Sequence, residues 1–293
     1  MPRMIVLDAM GRLDLSVIIV TYHGDRLLAN CLDSILRVYG EAAAGMEIIV
    51  VDNGNEASTW ELCGKYGCVK YLAAHENLGF AGGNNLGLTA ATRDHILLLN
   101  NDTLLHGDSF SPLLEFLDAH PKVGIVQGTM NIPCGNCLDD CGTDMTILGI
   151  QRHLHRGMPT ATTILRPRRV FAAKGAMMMI KRQVVDDLGF LFCDDFKSYY
   201  EETDFCHRAR NRGWQTWFVP TLPIDHLCGA TSGKFPRDEI WTQYFRNIMV
   251  SFWRNYGLFG RCFTLPCFMV AAFCRAPRAL VAALRKLSSP NSI

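Results

Sequence analysis

A short apolar run that ends in three polar residues constrains the fold of this chain most. Residues 95–103 read His-Ile-Leu-Leu-Leu-Asn-Asn-Asp-Thr. Four apolar residues are too few for a helix and predict a buried β-strand, whose carboxyl end carries Asn100, Asn101 and Asp102. Open α/β sheets bind ligands at this end. A carboxylate and two amides with no neighbouring Lys or Arg suit a hard cation that carries phosphates. Asn and Asp also form local turns at the ends of strands, so a cation site and a structural turn are both possible interpretations of these residues.

Strands and helices alternate through the first 75 residues. Apolar and β-branched runs predict strands at 15–22, 47–51 and 69–73, and a 3.6-residue apolar period predicts a helix at 25–38. A second helix is expected at 57–65. This order gives parallel βαβ units, so the fold class is α/β with a Rossmann-like nucleotide-binding half.

Asp52 ends the second predicted strand, where an acidic residue can accept hydrogen bonds from a ribose hydroxyl or a base N–H. It can equally form a turn before Gly54. The sequence has neither the G-x-G-x-x-G dinucleotide fingerprint nor a P-loop after the first strand. Nucleotide binding would therefore use another geometry.

Residues 77–87 form a dense glycine and asparagine block, Asn-Leu-Gly-Phe-Ala-Gly-Gly-Asn-Asn-Leu-Gly. Glycines let the backbone approach a ligand closely, and Asn84 and Asn85 can bond to phosphate or sugar hydroxyls. A plain loop uses the same residues. The density of the block at the start of a helical pattern favours ligand contact.

Composition limits the partners and the compartment. The chain has 293 residues, 49% of them hydrophobic, and a net charge of +1, which argues against nucleic acid as a partner. Twelve cysteines are too dilute for a disulfide scaffold, and 1–14 lacks the apolar core of a signal peptide. We expect a cytoplasmic protein. After Glu239 there are seven basic residues and no acidic one, which marks a separate basic tail.

The order of these motifs resembles the family 2 glycosyltransferases, and most of all their rhamnosyltransferase-like branch, which builds surface polysaccharides. The resemblance covers about residues 14–257. It implies a GT-A fold with a mixed, mostly parallel central sheet flanked by helices. It also implies inverting transfer from a nucleotide-diphosphate sugar, with dTDP-rhamnose as the branch's donor, to a glycan or lipid-linked acceptor.

The resemblance assigns the donor site. Asp102 would hold Mg²⁺ or Mn²⁺ as the last residue of a D-x-D-like motif, in which Asn100 replaces the first Asp and leaves one charge fewer on the metal. Asp52 would contact the nucleobase or ribose. The residues expected to bind the nucleotide sugar are Thr21, Asp52, Asn77, Gly79, Gly82, Gly83, Asn85 and Asn101.

The resemblance also assigns the chemistry of the second half. Gly175 and Ala176 would lie beside the donor sugar and the acceptor, before a buried strand at 177–180. Residues 198–213 match the family's acidic helix start, where Glu202 would be the catalytic base in place of the usual Asp. Three carboxylates in four residues raise at least one pKa toward the range of a general base.

The acidic neighbours and one histidine complete the expected site. Glu201 and Asp204 would orient the base, Asp204 through Arg208 at i+4. His226 follows the strand predicted at 215–219, where this fold often supplies a metal ligand; a lone His is as often structural.

Three cysteines, Cys134, Cys137 and Cys141, have a spacing that could bind Zn²⁺ with His153 or His155 as the fourth ligand. No second C-x-x-C pair is present, and Asp139 and Asp140 add charge that such a site does not need. The alternative is the family's variable acceptor-side loop at 131–159.

The chain is expected to divide into a catalytic domain, 1–239, and a helical tail, 240–293. Within the first, 14–130 would bind the donor and 131–239 the acceptor. The apolar run 262–274 is shorter than the ~20 residues of a bilayer span, so an interfacial helix pair on anionic lipid is expected, at the inner face of the cell membrane. A helical hairpin packed on the enzyme or in a homodimer is the alternative.

Two other functions compete with a transferase. A catalytically silent nucleotide-sugar-binding or scaffold subunit gains support from Asn100 and Glu202, which replace the commoner Asp. A nucleotidyltransferase is disfavoured because no Gly-rich, Arg-containing phosphate loop follows the first strand.

Overall fold

A computed structural model describes residues 13–133, 136–147, 149–227 and 236–287. The first half of the chain alternates strands and helices: β1 (Ser16–Thr21), α1 (Asp25–Tyr39), β2 (Glu47–Asp52), α2 (Ala57–Cys63), β3 (Val69–Ala73), α3 (Gly79–Ala90), β4 (His95–Leu99), β5 (Thr103–Leu104), α4 (Ser111–Ala119) and β6 (Val123–Gln127). The predicted alternation is confirmed, with element ends within two residues of those expected.

The second half begins with short strands and ends with helices. Its elements are β7 (Met130–Ile132), β8 (Cys137–Asp140), β9 (Thr143–Met145), β10 (Gln151–His153), β11 (Arg168–Val170), β12 (Met177–Lys181), α5 (Arg182–Leu188), α6 (Glu201–Asn211), β13 (Gln215–Phe218), β14 (Ile224–His226), α7 (Arg237–Asn255), α8 (Leu265–Arg275) and α9 (Pro277–Leu287). A π-helical turn, Gly260–Thr264, leads into α8. The boundary predicted after residue 239 falls in the first turn of α7, and the division into domains stays a prediction.

The central sheet has eight strands in the order β11-β13-β6-β12-β4-β1-β2-β3. Strands β1, β2, β3 and β4 are mutually parallel, and β12 runs antiparallel between β4 and β6. Strand β13 is parallel to β6, and β11 is antiparallel to β13. The mixed, mostly parallel sheet that was expected is therefore present, and the carboxyl ends of six strands lie at one edge.

Helices cover both faces of this sheet because its central strands are apolar on both sides. Along β1, Val17 and Ile19 belong to one core cluster and Ile18 to the other, as the twofold alternation of a strand requires. Helix α3 lies very close to β1: a Cβ at Gly87 would be 2.4 Å from Cγ2 of Ile18. A side chain at this position would push the helix off the sheet.

A second, four-stranded sheet in the order β5-β14-β7-β8 lies beyond the carboxyl end of β4. Its antiparallel pairing of β14 with β5 places His226 opposite Thr103, next to Asp102. The expectation of a loop at 131–159 is wrong, because the described part of this segment forms β7, β8, β9 and β10. These strands bring new acidic side chains to the edge of the central sheet.

The C-terminal helices pack on the rest of the protein through one face. Phe245, Phe252 and Phe268 share a buried cluster with Phe196 and Tyr200 of the preceding segment. The alternative of a helical hairpin packed on the enzyme is therefore correct for this inner face. Within the described ranges, every helix is too short or too polar to cross a bilayer.

Candidate active site

Asp102 and His226 meet where the two sheets join. Residues Asn100 to Asp102 form the turn between β4 and β5, and β14 holds His226 beside them. Oδ1 of Asp102 is 3.4 Å from Nε2 of His226, and Nδ2 of Asn100 is 3.2 Å from the same nitrogen. Both Asp102 and His226 are buried. The two residues predicted to hold a metal are thus adjacent, although 124 positions separate them in the sequence.

These two side chains fit a divalent cation. Oδ1 of Asp102 is buried without a hydrogen-bond donor among the described residues, which is costly for a carboxylate unless a cation or donor reaches it. Two ligands at right angles on Mg²⁺ are about 3 Å apart, close to the Asp102–His226 spacing. The described residues contain no cluster of three or more such ligands. Remaining ligands would have to come from substrate phosphates and water, as is usual for Mg²⁺.

Asp139 orients the histidine from its other side. Its Oδ2 is 2.8 Å from Nδ1 of His226 and also accepts a hydrogen bond from Nζ of Lys174. Burial opposes the charge of Asp139, but the hydrogen bond from His226 and the Lys174 ammonium hold the pKa of its carboxyl well below its usual range. A carboxylate on Nδ1 favours the tautomer with the proton there, so that the lone pair of Nε2 faces Asp102 and Asn100.

Glu202 borders a cavity of about 290 Å³. The cavity is lined by Thr143, Gln151, His153, Lys174, Tyr199, Tyr200, Glu202, Ile240, Trp241 and Tyr244. Burial raises the pKa of the Glu202 carboxyl, partly opposed by Lys174 and His153 and assisted by Asp140. A carboxylate with a raised pKa in a concave site is suited to take a proton from a bound hydroxyl.

The other acidic residues of α6 have different environments. Glu201 is buried, and burial together with Glu202 raises the pKa of its carboxyl well above the usual value. Oδ2 of Asp204 pairs with Nε of Arg208 at 2.9 Å, which confirms the predicted i+4 contact, and its Oδ1 accepts a hydrogen bond from Asn255 at 2.6 Å. Asp204 therefore fixes α6 against α7.

Gly175 and Ala176 lie between Glu202 and the Asn100–Asp102 turn. The carbonyl of Ala176 accepts a hydrogen bond from the Asn100 N–H at 3.1 Å. A Cβ at Gly175 would be 2.9 Å from Phe80 and 3.9 Å from Cβ of Glu202. The structure thus brings the predicted base, the predicted metal ligands and this dipeptide into one site.

Several residues predicted to bind the donor have protein partners. The Asp52 carboxylate accepts hydrogen bonds from the N–H groups of Gly54 and Glu56 and from the Tyr71 hydroxyl, at 2.7–2.9 Å. Nδ2 of Asn101 donates to Oγ1 of Thr21 at 2.9 Å. These contacts shape the loops after β1 and β2, and a direct role in donor binding stays a prediction.

The glycine and asparagine block also has protein partners. Gly79 has a positive φ of 71°, and its N–H donates a hydrogen bond to Oδ1 of Asn77. It approaches the Lys197 backbone so closely that a Cβ would be 2.5 Å from the carbonyl oxygen of Lys197. Cβ atoms at Gly82 and Gly83 would be 2.8 Å from Leu78 and 2.7 Å from Val20.

Asn85 exchanges two hydrogen bonds with the Phe192 backbone and donates to Asp194. Protein partners therefore account for the hydrogen bonds of Asn77, Asn84 and Asn85. Ligand contact by the residues of the block stays a prediction.

Sequence reasoning missed Asp139, Asp140 and Lys174 as site residues. Asp140 is fully buried and pairs with Nδ1 of His153 at 2.6 Å, and His153 lines the cavity beside Glu202. Cys134 lies outside the described residues, so the proposed three-thiolate site stays untested. The feature of the sequence that could have identified them is the adjacent pair Asp139-Asp140, since paired carboxylates that become buried need cations nearby.

The sequence model of the family described as glycosyl transferase family 2 matches residues 16–189, more than half of the chain. The chain belongs to this family. Hexosyltransferase Agl10 of low-salt glycan biosynthesis in Haloferax volcanii is 29% identical over 204 residues, 67% of this chain and 62% of the relative. A poly-beta-1,6-N-acetyl-D-glucosamine synthase of Staphylococcus aureus is 26% identical over 241 residues, 78% of this chain and 54% of the relative. The matches span less than two thirds of either relative.

Solved structures confirm the GT-A fold for this member of glycosyl transferase family 2. The mannosyltransferase PcManGT from Pyrobaculum calidifontis, in complex with GDP-Man and Mn²⁺, superposes with a TM-score of 0.62 at 16% identity, covering 100% of this chain and 80% of the other. TarS 1–349 of S. aureus, in complex with UDP-GlcNAc, superposes with a TM-score of 0.59 at 16% identity, covering 89% of this chain and 73% of the other. At this identity the likeness concerns the fold alone.

Proposed function

We propose that the protein is an inverting glycosyltransferase that moves a sugar from a nucleotide diphosphate to a hydroxyl of a glycan or lipid-linked acceptor in surface polysaccharide synthesis. One observation carries the proposal: a Cβ at Gly175 would be 3.9 Å from Cβ of Glu202, and the carbonyl of the next residue, Ala176, accepts a hydrogen bond from the Asn100 N–H. The proposed base and the proposed cation site therefore flank the same two residues. Family membership and the relatives' glycan-building roles support it.

Glu202 is the proposed catalytic base. Burial raises the pKa of its carboxyl, which increases its affinity for a proton, and the cavity beside it has room for one sugar unit. Deprotonating an acceptor hydroxyl as it attacks the anomeric carbon gives a single displacement and therefore inversion. A covalent glycosyl-enzyme is not needed.

Asp102 and His226 are the residues proposed to hold Mg²⁺ or Mn²⁺. A bound cation would neutralise the charge that develops on the departing nucleoside diphosphate. Because Asn100 is uncharged, Asp102 is the single carboxylate among the proposed metal ligands, and we expect the metal to bind more tightly with the donor's phosphates than alone. The PcManGT complex, which contains both GDP-Man and Mn²⁺, is consistent with this expectation.

The cavity next to Glu202 is proposed to receive the acceptor sugar. Tyr199, Trp241 and Tyr244 contribute aromatic rings, and Gln151 and His153 contribute polar groups to the lining. Aromatic faces with a few polar groups suit a sugar ring, which has apolar faces and hydroxyl edges. Helix α7 therefore takes part in acceptor binding.

The experiment is a donor panel measured for binding and for hydrolysis, with and without Mn²⁺. The panel contains dTDP-rhamnose, the donor that the resemblance implies, with GDP-mannose and UDP-GlcNAc, which the neighbours bind. Slow metal-dependent release of one nucleoside diphosphate supports the proposal and names the donor. Tight binding of a donor without hydrolysis or transfer to lipid-linked acceptors would instead identify a silent binding subunit. Binding of no donor would contradict both.

A further inference from the structure

Helix α8 and the turn before it expose an apolar stripe on the side away from the protein. Phe259, Phe263, Pro266, Val270 and Phe273 follow at spacings of three and four residues, and all are exposed. Such a spacing aligns side chains along one helix face. The rings of Phe259 and Phe263 stack with centroids 5.1 Å apart, which shows that the stripe is continuous across the π-helical turn. We name these five residues the α8 face.

The α8 face is not the side that packs on the enzyme. Gly260, Thr264, Phe268 and Ala272 alternate with it and are buried. Phe268 and Ala272 pack in the apolar cluster that α7 and α9 share. Phe259, Val270 and Phe273 are 64%, 66% and 57% exposed. A surface helix normally places polar residues on its outer side. A contiguous exposed apolar stripe on a second helix face indicates an interaction surface for a membrane, a protein or a ligand.

The charge around the α8 face selects the partner. Arg261 and Arg275 are exposed on the turn and the helix that carry this face, and Arg254 and Arg278 are exposed on the neighbouring helices α7 and α9. No acidic residue follows Glu239 in the sequence. Trp253 is 60% exposed with the Arg261 guanidinium 4.9 Å from its ring centroid. Aromatic and basic residues around an apolar stripe are typical of helices that lie in the headgroup region of anionic membranes.

We propose that the α8 face is the docking surface for an anionic lipid bilayer. Helix α8 has 11 residues, or about 16 Å, so it would lie along the surface and not span the ~30 Å core. A second copy of the chain fits less well, because a twofold contact through this face would bring the basic residues of the two copies close together without acidic partners. The basic residues match the negative inner leaflet of the cell membrane.

Docking would place the catalytic cavity next to the membrane. The Arg275 guanidinium lies 5.1 Å from the ring centroid of Trp241, and Trp241 lines the cavity beside Glu202. One residue of the membrane-facing helix therefore contacts the wall of the proposed acceptor site. A lipid-linked acceptor would then meet the base without leaving the bilayer. This consequence rests on the proposed function, whereas the docking itself does not.

The test is flotation of the purified full chain with vesicles of phosphatidylcholine alone or with 30% phosphatidylglycerol. We expect binding to the anionic vesicles that weakens at high salt. The variant Phe259→Ser/Phe273→Ser should lose at least about tenfold in partitioning. Arg261→Gln/Arg278→Gln should lose about fivefold for each charge removed.

Matched controls come from apolar side chains exposed elsewhere. Trp60 and Ile164 are 62% and 84% exposed, and Trp60→Ser/Ile164→Ser should bind vesicles like the wild type. Unfolding temperatures of all variants are compared first, since every substituted side chain is exposed. A second measurement of bilayer contact is the quenching of Trp253 fluorescence by brominated lipid. This quenching should be absent in Trp253→Phe.

Three results would overturn the proposal. Wild-type protein that stays with the unbound fraction at low salt would exclude docking on anionic lipid. Equal partitioning of the Phe259→Ser/Phe273→Ser variant and the wild type would exclude the α8 face. Self-association that this variant abolishes, without vesicle binding, would make the face a contact between copies. None of these results bears on donor hydrolysis, so the proposed function is judged separately.

Discussion

Replacing Asp139 by Asn should weaken the metal site without touching either proposed ligand. Oδ2 of Asp139 faces Nδ1 of His226 at 2.8 Å and accepts a hydrogen bond from Lys174. Asn keeps the shape and one acceptor oxygen but removes the charge that favours a proton on Nδ1. His226 would then spend part of its time with the proton on Nε2, the nitrogen that must bind the cation.

Loss of such a supporting carboxylate typically lowers metal affinity about 10- to 100-fold, or about 1.4–2.7 kcal/mol. We expect a loss in this range for Mn²⁺ binding to Asp139→Asn. Some stability will also be lost, because Lys174 keeps its charge without a partner at Asp139; its side chain is 22% exposed, so water compensates in part. Mn²⁺ binding must therefore be measured well below the unfolding temperature.

Asp140→Asn is the matched control. Asp140 is the next residue of β8, is equally buried, and pairs with a different histidine, His153, at 2.6 Å. Mn²⁺ affinity is measured by electron paramagnetic resonance with the bound nucleoside diphosphate present, and the His226 tautomer by ¹⁵N NMR. Asp140→Asn should leave both unchanged. Equal losses in the two variants, or an unchanged tautomer in Asp139→Asn, would refute the positioning argument.

Three further predictions concern α6 and α3. Glu202 must be ionised to act as a base, and its pKa is raised. On acidification, kcat should therefore fall at a higher pH than an ordinary carboxyl would give. The residual kcat of Glu202→Gln should not show this fall. The raised pKa of Glu201 means that its ionisation destabilises the folded protein. The unfolding temperature of Glu201→Gln should therefore increase relative to that of the wild type as the pH rises from 5 to 8. A difference in unfolding temperature that does not change with pH would contradict this prediction. Gly87→Ala should cost about 1–3 kcal/mol in urea unfolding because its Cβ would overlap Ile18, whereas Gly67→Ala, with open space around it, should be near neutral.

The central strands could be predicted because a strand that is buried on both faces requires an uninterrupted run of apolar residues. Runs such as 96–99 are apolar without interruption, and their ends carry the polar residues that the fold uses. The pairing of Asp102 with His226 was expected only through the family resemblance. No local pattern connects two residues that meet across separate sheets.

The acidic residues of β8 could not be predicted. Lys174 and His226 lie 35 and 87 positions from Asp139, so the sequence shows an isolated acidic pair without its partners. Asn85 shows the opposite difficulty. An amide that bonds a ligand and an amide that bonds the Phe192 backbone have the same chemistry, and only the fold distinguishes them.

The α8 face was partly visible in the sequence. Its apolar and basic composition indicated an interfacial helix, but all apolar positions of the run 262–274 look alike before folding. Phe268 is buried against α7, while Phe273 is exposed on the other side. Which face remains free depends on how the helices pack.

The most direct measurement compares nucleoside diphosphate release by the wild type, Glu202→Gln and Asp102→Asn, with the donor named by the panel and with Mn²⁺ added or chelated. Glu61→Gln, an exposed carboxylate on α2, is the control. If a base and a cation site share one active centre, Glu202→Gln will keep metal-dependent donor binding and lose turnover at least about 100-fold. Asp102→Asn will lose the metal dependence of binding itself. Wild-type turnover in Glu202→Gln, or unchanged metal dependence in Asp102→Asn, would contradict this assignment.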